Sequence, residues 1–310
     1  MLRILFVYRV FPPKNDDPIV DEQAKSLINH EKLDIKFLKI NKPKIGYLIA
    51  SVKLFFLSII NRYDIIHFHH SYSGYISIFS FKGKKICSLM GSDILEEKGF
   101  YKKITNFYVN KIWDGIIVKS KEMQKLVPKS EVIPNGVNFT DFRPIDRSTA
   151  YNITGYNPNF FNIVFVSTDL NDRVKNFQLA LESCNKIKIE SITLNTITNI
   201  NHSELIYYYN AADLLLMTSL SEGSPNVVKE ALACNCPVVS TDVGDVSELI
   251  SEINNCYITS WDPDDIVAKI MKVYTNKSRS NGREKISRLK HQNISNKIVN
   301  FYLSNTNINL

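Results

Sequence analysis

Residues Ser219–Gly244, SLSEGSPNVVKEALACNCPVVSTDVG, decide the fold. A Gly-Ser-Pro turn precedes an apolar pattern at helical spacing, and the apolar run CPVVS follows. Ser224 is a favourable N-cap and Pro225 suits the first helical position, so we predict a helix from Pro225 to about Cys234. Asn235 tolerates the left-handed backbone conformation that ends many helices. The stretch therefore predicts a loop, a helix and a strand in succession.

Two glutamates accompany this predicted helix. Glu222 lies just before the Gly-Ser-Pro turn, and Glu230 lies inside the helix. The first amides of a helix lack intrahelical acceptors and the helix dipole is positive there, so the loop predicts an anion site. Glu222 would lie beside the anion, and Glu230 could bind a pair of hydroxyls. A sugar nucleotide, with its pyrophosphate between two hydroxyl-bearing rings, fits this pattern. The alternative is a capped core helix with one solvated glutamate.

Length and composition indicate a globular chain of two domains. The 310 residues exceed what one hydrophobic core usually holds, and 44% hydrophobic with 22% charged residues is typical of a folded protein. Five cysteines without a Cys-x-x-Cys pair indicate neither a disulfide framework nor a zinc site, which favours a reducing cytoplasm. The most apolar run, Ile45–Ile60, has 16 residues, carries Lys53 and is too short to span a membrane. We expect a helix there, packed on a sheet or lying at a membrane surface.

Strand patterns alternate with helical patterns along the whole chain, which predicts two parallel, doubly wound α/β domains. A stretch of little periodicity, Phe139–Pro158, separates two series of strands. The expected domains are 1–145, 146–290 and a terminal helix in 291–310. The predicted strands are Ile4–Tyr8, Ile65–His69, Lys85–Leu89, Gly115–Lys119 and Glu131–Ile133, then Asn162–Ser167, Ser191–Thr198, Leu214–Met217 and Val238–Ser240.

Two cations follow the first strand of the second series. Arg173 and Lys175 lie in the loop between that strand and its helix, where they could hold a pyrophosphate, although a solvated pair is the alternative. The charge is uneven: residues 1–150 hold 24 Lys+Arg against 15 Asp+Glu, a net +9, and residues 151–310 hold 14 against 16, a net −2. The basic half fits an anionic substrate, an anionic membrane leaflet or solvated helix faces. Without interleaved aromatic residues or a known module, nucleic acid fits least.

The chain resembles the retaining GT-B glycosyltransferases of family 4. The resemblance rests on segments in family order, which are DIIHFHH, LMGSDI, VIPNGVNFTDFRP, VKNFQLAL and ELIYYYNAADLLLMTSLSEGSPNVVKEALACNCPVV. It implies two Rossmann-like domains facing across a cleft, the second abbreviated, with the terminal helix crossing back to the first domain. It also implies an N-terminal acceptor domain and a C-terminal domain for a nucleotide-diphosphate sugar.

The resemblance implies a role for each matching residue. Glu222, Lys175 and Arg173 are the expected catalytic residues, the two cations stabilising the departing diphosphate. Glu230 would hold the ribose hydroxyls. The other expected donor contacts are Gly223, Ser224, Pro225, Asn226, Val227 and Thr168. No metal and no cofactor is expected, and the substrate would be a UDP-sugar or a GDP-sugar.

The sequence also departs from the family pattern. Met90 replaces a histidine that many relatives carry, and the loop FPPKNDDPIVDEQ lacks the glycines that admit the donor phosphates. Asp93, Ser92 and His69 remain as candidates on the acceptor side. A metal site using all three histidines of DIIHFHH is disfavoured, because His70 points away from the other two.

These departures leave a second hypothesis open, a non-catalytic GT-B subunit that partners an active transferase. A sugar-nucleotide epimerase is disfavoured by the spacing of the two glutamates. For the enzyme we expect polysaccharide biosynthesis, a glycan or lipid-linked acceptor and no nucleic acid. We expect it in the cytoplasm, with a peripheral position at the inner face of the cell membrane.

Overall fold

The computed structural model describes residues 1–10, 17–28, 32–42, 44–96 and 98–306. The chain forms two compact units, one of Met1–Gly136 with His291–Leu310 and the other of Val137–Lys290. The change of unit therefore comes earlier than the expected boundary after residue 145. The reason is a set of bonds within the second unit, because the Arg283 guanidinium donates to the carbonyls of Phe139 and Phe142 at 2.9 and 2.6 Å.

The first unit is built on a six-stranded parallel sheet with the strand order β2-β1-β3-β4-β5-β6. Its strands are β1 (Leu2–Arg9), β2 (Leu33–Ile40), β3 (Ile65–His69), β4 (Lys84–Ser88), β5 (Gly115–Val118) and β6 (Glu131–Val132). Its helices are α1 (Pro18–Ile28), α2 (Ile45–Ile60), α3 (Ser71–Gly74), α4 (Ser92–Leu95), α5 (Gly99–Lys111) and α6 (Lys121–Leu126), with a 3₁₀ helix at Tyr75–Phe79.

Alternate residues of β1 pack on opposite faces of this sheet, as the period of a strand requires. Leu5 and Val7 join a buried cluster with Ala50 and Leu54 of α2. Phe6 lies on the other face against His67 and His69, with ring centroids at 5.1 and 4.7 Å. Both faces are covered, which is typical of a parallel sheet.

A helix from the far end of the sequence completes the first unit. Helix α14 (His291–Thr306) buries Ile298, Phe301 and Tyr302, and the Tyr302 hydroxyl lies 2.6 Å from His67 Nδ1. The other ring nitrogen of His67, Nε2, lies 2.8 Å from Ser88 Oγ. Both nitrogens of this buried ring are therefore hydrogen-bonded.

The second unit is built on a five-stranded parallel sheet with the order β11-β10-β9-β7-β8. Its strands are β7 (Phe161–Val166), β8 (Ile192–Ile197), β9 (Leu214–Met217), β10 (Val238–Thr241) and β11 (Tyr257–Thr259). Its helices are α7 (Arg147–Thr154), α8 (Phe177–Lys186), α9 (Leu205–Ala211), α10 (Asn226–Ala233), α11 (Val246–Ile250), α12 (Pro263–Asn276) and α13 (Gly282–Lys285), with 3₁₀ helices at His202–Glu204 and Ser287–Leu289.

The nine predicted strands are confirmed to within about two residues at their ends. Strands β2 and β11 and helix α7 were not predicted. Strand β2 lies at the sheet edge and alternates buried with exposed positions, so it carries lysines, and β11 has only 3 residues. Helix α7 falls in the stretch that we expected to be irregular. Asp146 caps it by accepting from the Thr149 amide, and Gly155 ends it at a φ of 73°.

Candidate functional site

Three loops of the second unit meet at the carboxyl edge of its sheet, because parallel strands all end there. They follow β7, β9 and β10. The Leu220 amide donates to the Val174 carbonyl at 2.8 Å, which joins the β9 loop to the β7 loop. The Thr241 hydroxyl donates to the Ser219 carbonyl at 2.7 Å, which joins β10 to the same β9 loop. This is the edge at which doubly wound sheets bind ligands.

Lys175 and Glu222 meet across two of these loops. Lys175 Nζ lies 2.6 Å from Glu222 Oε1, and the Ser219 hydroxyl donates to the same oxygen at 2.9 Å. The two side chains are 31% and 15% exposed, so a ligand can reach both. Arg173 and Thr168 lie in the β7 loop with exposed side chains. Arg173 forms no ion pair with any residue that the structure describes.

The start of helix α10 differs from its predicted form. Pro225, not Ser224, is the N-cap residue, and no side chain caps the helix. The Ser224 hydroxyl instead donates to Asp245 Oδ2 at 2.6 Å, because that carboxylate comes close from the β10 loop. The amides of the first turn, which begins at Asn226, therefore face the loop without a side-chain cap. Asn235 has a φ of 56°, as predicted for the end of the helix.

The β10 loop supports the backbone of Glu222 and Gly223 in the turn before α10. Gly244 has a φ of 63°, and a Cβ atom placed there would lie 2.7 Å from the Gly223 carbonyl oxygen and 2.8 Å from that of Glu222. Only glycine allows this backbone conformation and this approach without strain. The backbone of Glu222–Gly223 therefore rests directly on Gly244.

A buried lysine lies beneath the same turn. Lys229 of α10 is fully buried, and its Nζ lies 3.4 Å from Asn226 Oδ1. Burial lowers the pKa of Lys229, although the nearby carboxylate of Asp245 opposes that shift. Burial raises the pKa of Asp245, and Lys229 opposes this in turn. Each of the two charges thus favours the charged form of the other group.

Glu230 is buried, and both of its carboxylate oxygens have partners. Oε1 lies 2.8 Å from His202 Nε2, and Oε2 accepts from the Tyr209 hydroxyl at 3.2 Å. Burial raises the pKa of Tyr209 well above its usual range, and the neighbouring Glu230 raises it further. The phenol therefore stays protonated and acts as a donor. Phe142 packs on the His202 ring at 5.2 Å between centroids. The structure therefore holds Glu230 in a fixed orientation, with the part-exposed His202 at its solvent side.

The acceptor-side candidates of the first unit have different surroundings. Asp93 is buried and accepts from the amides of Ser71, Met90 and Gly91 at 2.9 to 3.0 Å, so it shapes the loop around it. Ser92 is exposed at the start of α4.

His69 is buried, and neither ring nitrogen has a hydrogen-bond partner among the described residues. Burial lowers the pKa of His69 well below its usual range. The charge of the nearby His67 lowers the same pKa further, as a smaller effect. Its ring stacks on His67 at 4.2 Å, as predicted for two histidines on one strand face. In the loop FPPKNDDPIVDEQ, residues Phe11–Asp16 lie outside the described residues.

The sequence did not reveal every residue of the site. His202 and Tyr209 were missed because nothing in their spacing connects them with Glu230. The sequence could have indicated that Lys229 is special, since a lysine inside an apolar helical pattern is unusual. Among the described residues no group of three His, Cys, Asp or Glu side chains could hold a metal ion. Likewise, no described helix is long and apolar enough to cross a membrane.

Comparison with known proteins agrees with this architecture. Residues 192–276 match the family model described as glycosyl transferases group 1, a range that includes Glu222 and Glu230. An uncharacterized glycosyltransferase of Methanocaldococcus jannaschii is 28% identical over 289 residues, with 84% of this chain and 78% of that protein covered. A candidate teichuronic acid biosynthesis glycosyltransferase of Bacillus subtilis, TuaC, is 56% identical over 45 residues, which are 14% of this chain and 12% of that one.

Solved structures show the same fold. The Anabaena protein HepE, solved in complex with UDP-glucose, superposes with a TM-score of 0.80 at 15% identity, over 98% of this chain and 100% of that one. At that identity the likeness establishes the fold alone. With the family match and the glycosyltransferase relatives, it identifies the type of enzyme. Residues 192–276 thus match the group 1 glycosyltransferases, and the chain has the GT-B fold of such transferase enzymes.

Proposed function

We propose that this enzyme is a retaining glycosyltransferase that moves a sugar from a nucleotide-diphosphate sugar to a lipid-linked acceptor of a cell-surface glycan. The observation that carries the proposal is the ion pair of Lys175 and Glu222, 2.6 Å apart beside the uncapped first turn of α10. A diphosphate needs a cation and backbone amides, and both are present at this edge of the sheet.

In this proposal the second unit binds the donor. Lys175 and the amides at the start of α10 stabilise the negative charge that grows on the departing nucleotide. Arg173, exposed two residues before Lys175, supplies a second cation. Glu222 contacts the sugar, held in place by Lys175 and Ser219. The HepE structure contains UDP-glucose, which supports a UDP-sugar as the first donor to test.

Glu230 binds the ribose hydroxyls. Each carboxylate oxygen accepts more than one hydrogen bond, so the partners His202 and Tyr209 leave acceptor capacity on Glu230. The side chain of Glu230 is 6% exposed and that of His202 is 35% exposed, so the His202 ring must turn aside for a ribose to reach the carboxylate. A His202→Ala variant is therefore expected to keep nucleotide binding, whereas loss of Glu230 abolishes it.

The first unit takes the acceptor. Its sequence half carries the net charge of +9, which favours an anionic carrier such as a lipid diphosphate. The local identity to TuaC supports a cell-surface polymer. Ser92, exposed at the start of α4, is the candidate for direct contact, and Asp93 shapes its loop.

A thermal-shift titration with UDP, GDP, CMP, ADP and dTDP tests the donor site. A ligand at 100 times its dissociation constant stabilises the native state by about 2.7 kcal/mol. We expect one nucleotide to raise the melting temperature of the wild type and of Glu252→Gln, an exposed control, but not of Glu230→Gln. A folded protein that none of the nucleotides stabilises would refute the donor site. The anomeric configuration of the product, read by NMR, tests retention.

A further inference from the structure

Helix α2 is apolar on the side that faces away from its own core. Its buried face, which includes Ala50 and Leu54, packs on the sheet. At about 100° per residue, the opposite face forms a stripe about 120° wide. The exposed members of that stripe are Ile45, Leu48, Ile49, Val52, Phe56, Ile59 and Ile60. A surface helix normally places polar residues there, so this apolar stripe requires an explanation.

Neighbouring elements extend the apolar stripe. The 3₁₀ helix Tyr75–Phe79 packs beside α2 and exposes Ile78 and Phe79. The Phe81 ring lies 5.3 Å from that of Phe55 and is 71% exposed. We call these ten exposed side chains, seven on α2 with Ile78, Phe79 and Phe81, the apolar surface.

The two segments that supply the apolar surface carry charges of one sign. Segments 42–62 and 71–85, which supply it, contain seven Lys or Arg residues and no Asp or Glu. They are Lys42, Lys44, Lys53, Arg62, Lys82, Lys84 and Lys85. All but Lys85 are exposed, and among the residues that the structure describes only Lys84 of this set forms an ion pair, with Asp114 at 3.2 Å. An apolar stripe with basic residues around it is the pattern of a helix that lies in the interface of an anionic bilayer.

We propose that the first unit docks on an anionic lipid bilayer through the apolar surface, with α2 lying in the plane of the interface. The aliphatic and aromatic side chains enter the boundary between headgroups and acyl chains, and the surrounding lysines contact the lipid phosphates. A second copy of the chain is the competing occupant, but it would bring two such basic borders together. The inference deepens the proposed function, since a lipid-linked acceptor lies in such a bilayer. Lipid binding requires no nucleotide, so the two proposals can fail separately.

Vesicle co-sedimentation of the full chain without nucleotide tests the docking. The vesicles are phosphatidylcholine alone, or phosphatidylcholine with phosphatidylglycerol. The variant Leu48→Ser/Ile60→Ser changes side chains that are 67% and 71% exposed, so the fold is expected to survive. The control, Ile153→Ser, changes an equally apolar side chain of the second unit that is 54% exposed. A Lys53→Glu/Lys82→Glu variant tests the charge.

We expect the wild type and Ile153→Ser to bind vesicles that contain phosphatidylglycerol. The apolar double variant is expected to bind at least about tenfold more weakly, from the transfer free energy of two large side chains. Each lost basic residue is expected to cost about fivefold. The proposal would be overturned if the wild type bound neither kind of vesicle. It would also be overturned if Leu48→Ser/Ile60→Ser bound the vesicles as well as the wild type does. A third result would overturn it in favour of a second copy of the chain: the wild type forms a dimer in sedimentation velocity, Leu48→Ser/Ile60→Ser does not, and the wild type binds no vesicles.

Discussion

Replacing Gly244 by alanine perturbs the loop that carries Glu222. Its φ of 63° is left-handed, which costs an L-residue about 1–2 kcal/mol. The new Cβ would also lie 2.7 Å from the Gly223 carbonyl oxygen, where ordinary contacts begin at 3.4 Å. Relieving such an overlap costs about a further 1–3 kcal/mol, because backbone atoms must move. The expected loss in the free energy of unfolding is therefore about 2–5 kcal/mol.

The chain offers a matched control at Gly155. Its φ of 73° is also left-handed, but a Cβ there would meet nothing within 4 Å. Gly155→Ala therefore isolates the backbone term, about 1–2 kcal/mol. The difference between the two variants measures the contact of Gly244 with the Glu222–Gly223 backbone.

Urea unfolding and nucleotide titration of both variants provide the assay. We expect Gly244→Ala to lose more stability than Gly155→Ala and to bind the nucleotide more weakly, since the loop that carries Glu222 must shift. Gly155→Ala should bind the nucleotide as the wild type does. Equal stability losses together with equal nucleotide affinities would refute the reasoning.

Three further predictions concern buried polar groups. Asp245→Asn removes the carboxylate that accepts from the Ser224 hydroxyl and that favours the charged form of the buried Lys229; it should lower the free energy of unfolding in urea by about 1–3 kcal/mol, whereas an unchanged value would contradict this role of Asp245. Tyr302→Phe leaves His67 Nδ1 without its partner and should cost about 1–3 kcal/mol by the same measurement; a neutral effect would argue against this hydrogen bond. Because burial lowers the pKa of His69, the unfolded chain binds a proton below about pH 6.5 that the native state resists, so stability falls as the pH drops from 7 to 5. His69→Phe should flatten this fall in the urea midpoint, and an identical slope would exclude His69 as its source.

The sequence predicted the fold because strand and helix periods are local properties. Buried strands such as Leu214–Met217 are continuous apolar runs, and Asn235 marks the end of α10 through its own backbone preference. Strand β2 was not predicted, because a strand at a sheet edge can carry exposed lysines that interrupt the apolar pattern. Local rules also misassigned Ser224, whose hydroxyl binds Asp245, a residue 21 positions away.

The candidate site was predicted in part for the same reason. Glu222 and Glu230 belong to one short stretch, so a single motif revealed both. The partners of Glu230, His202 and Tyr209, come from an earlier segment and are brought near by the packing of α9 on α10. Side-chain pairs of this kind depend on tertiary structure and leave no spacing pattern in the sequence.

The return of helix α14 to the first unit has a consequence for synthesis. The first unit needs residues from both sides of Val137–Lys290, so its sheet emerges from the ribosome long before α14 does. Until then the surface that receives Ile298, Phe301 and Tyr302 is uncovered, and His67 lacks its hydroxyl partner. The second unit, continuous in sequence, can complete its core first, although domains generally fold in the order of synthesis. A nascent chain whose residues up to about 290 have left the ribosome would therefore carry a finished second unit and an unfinished first unit.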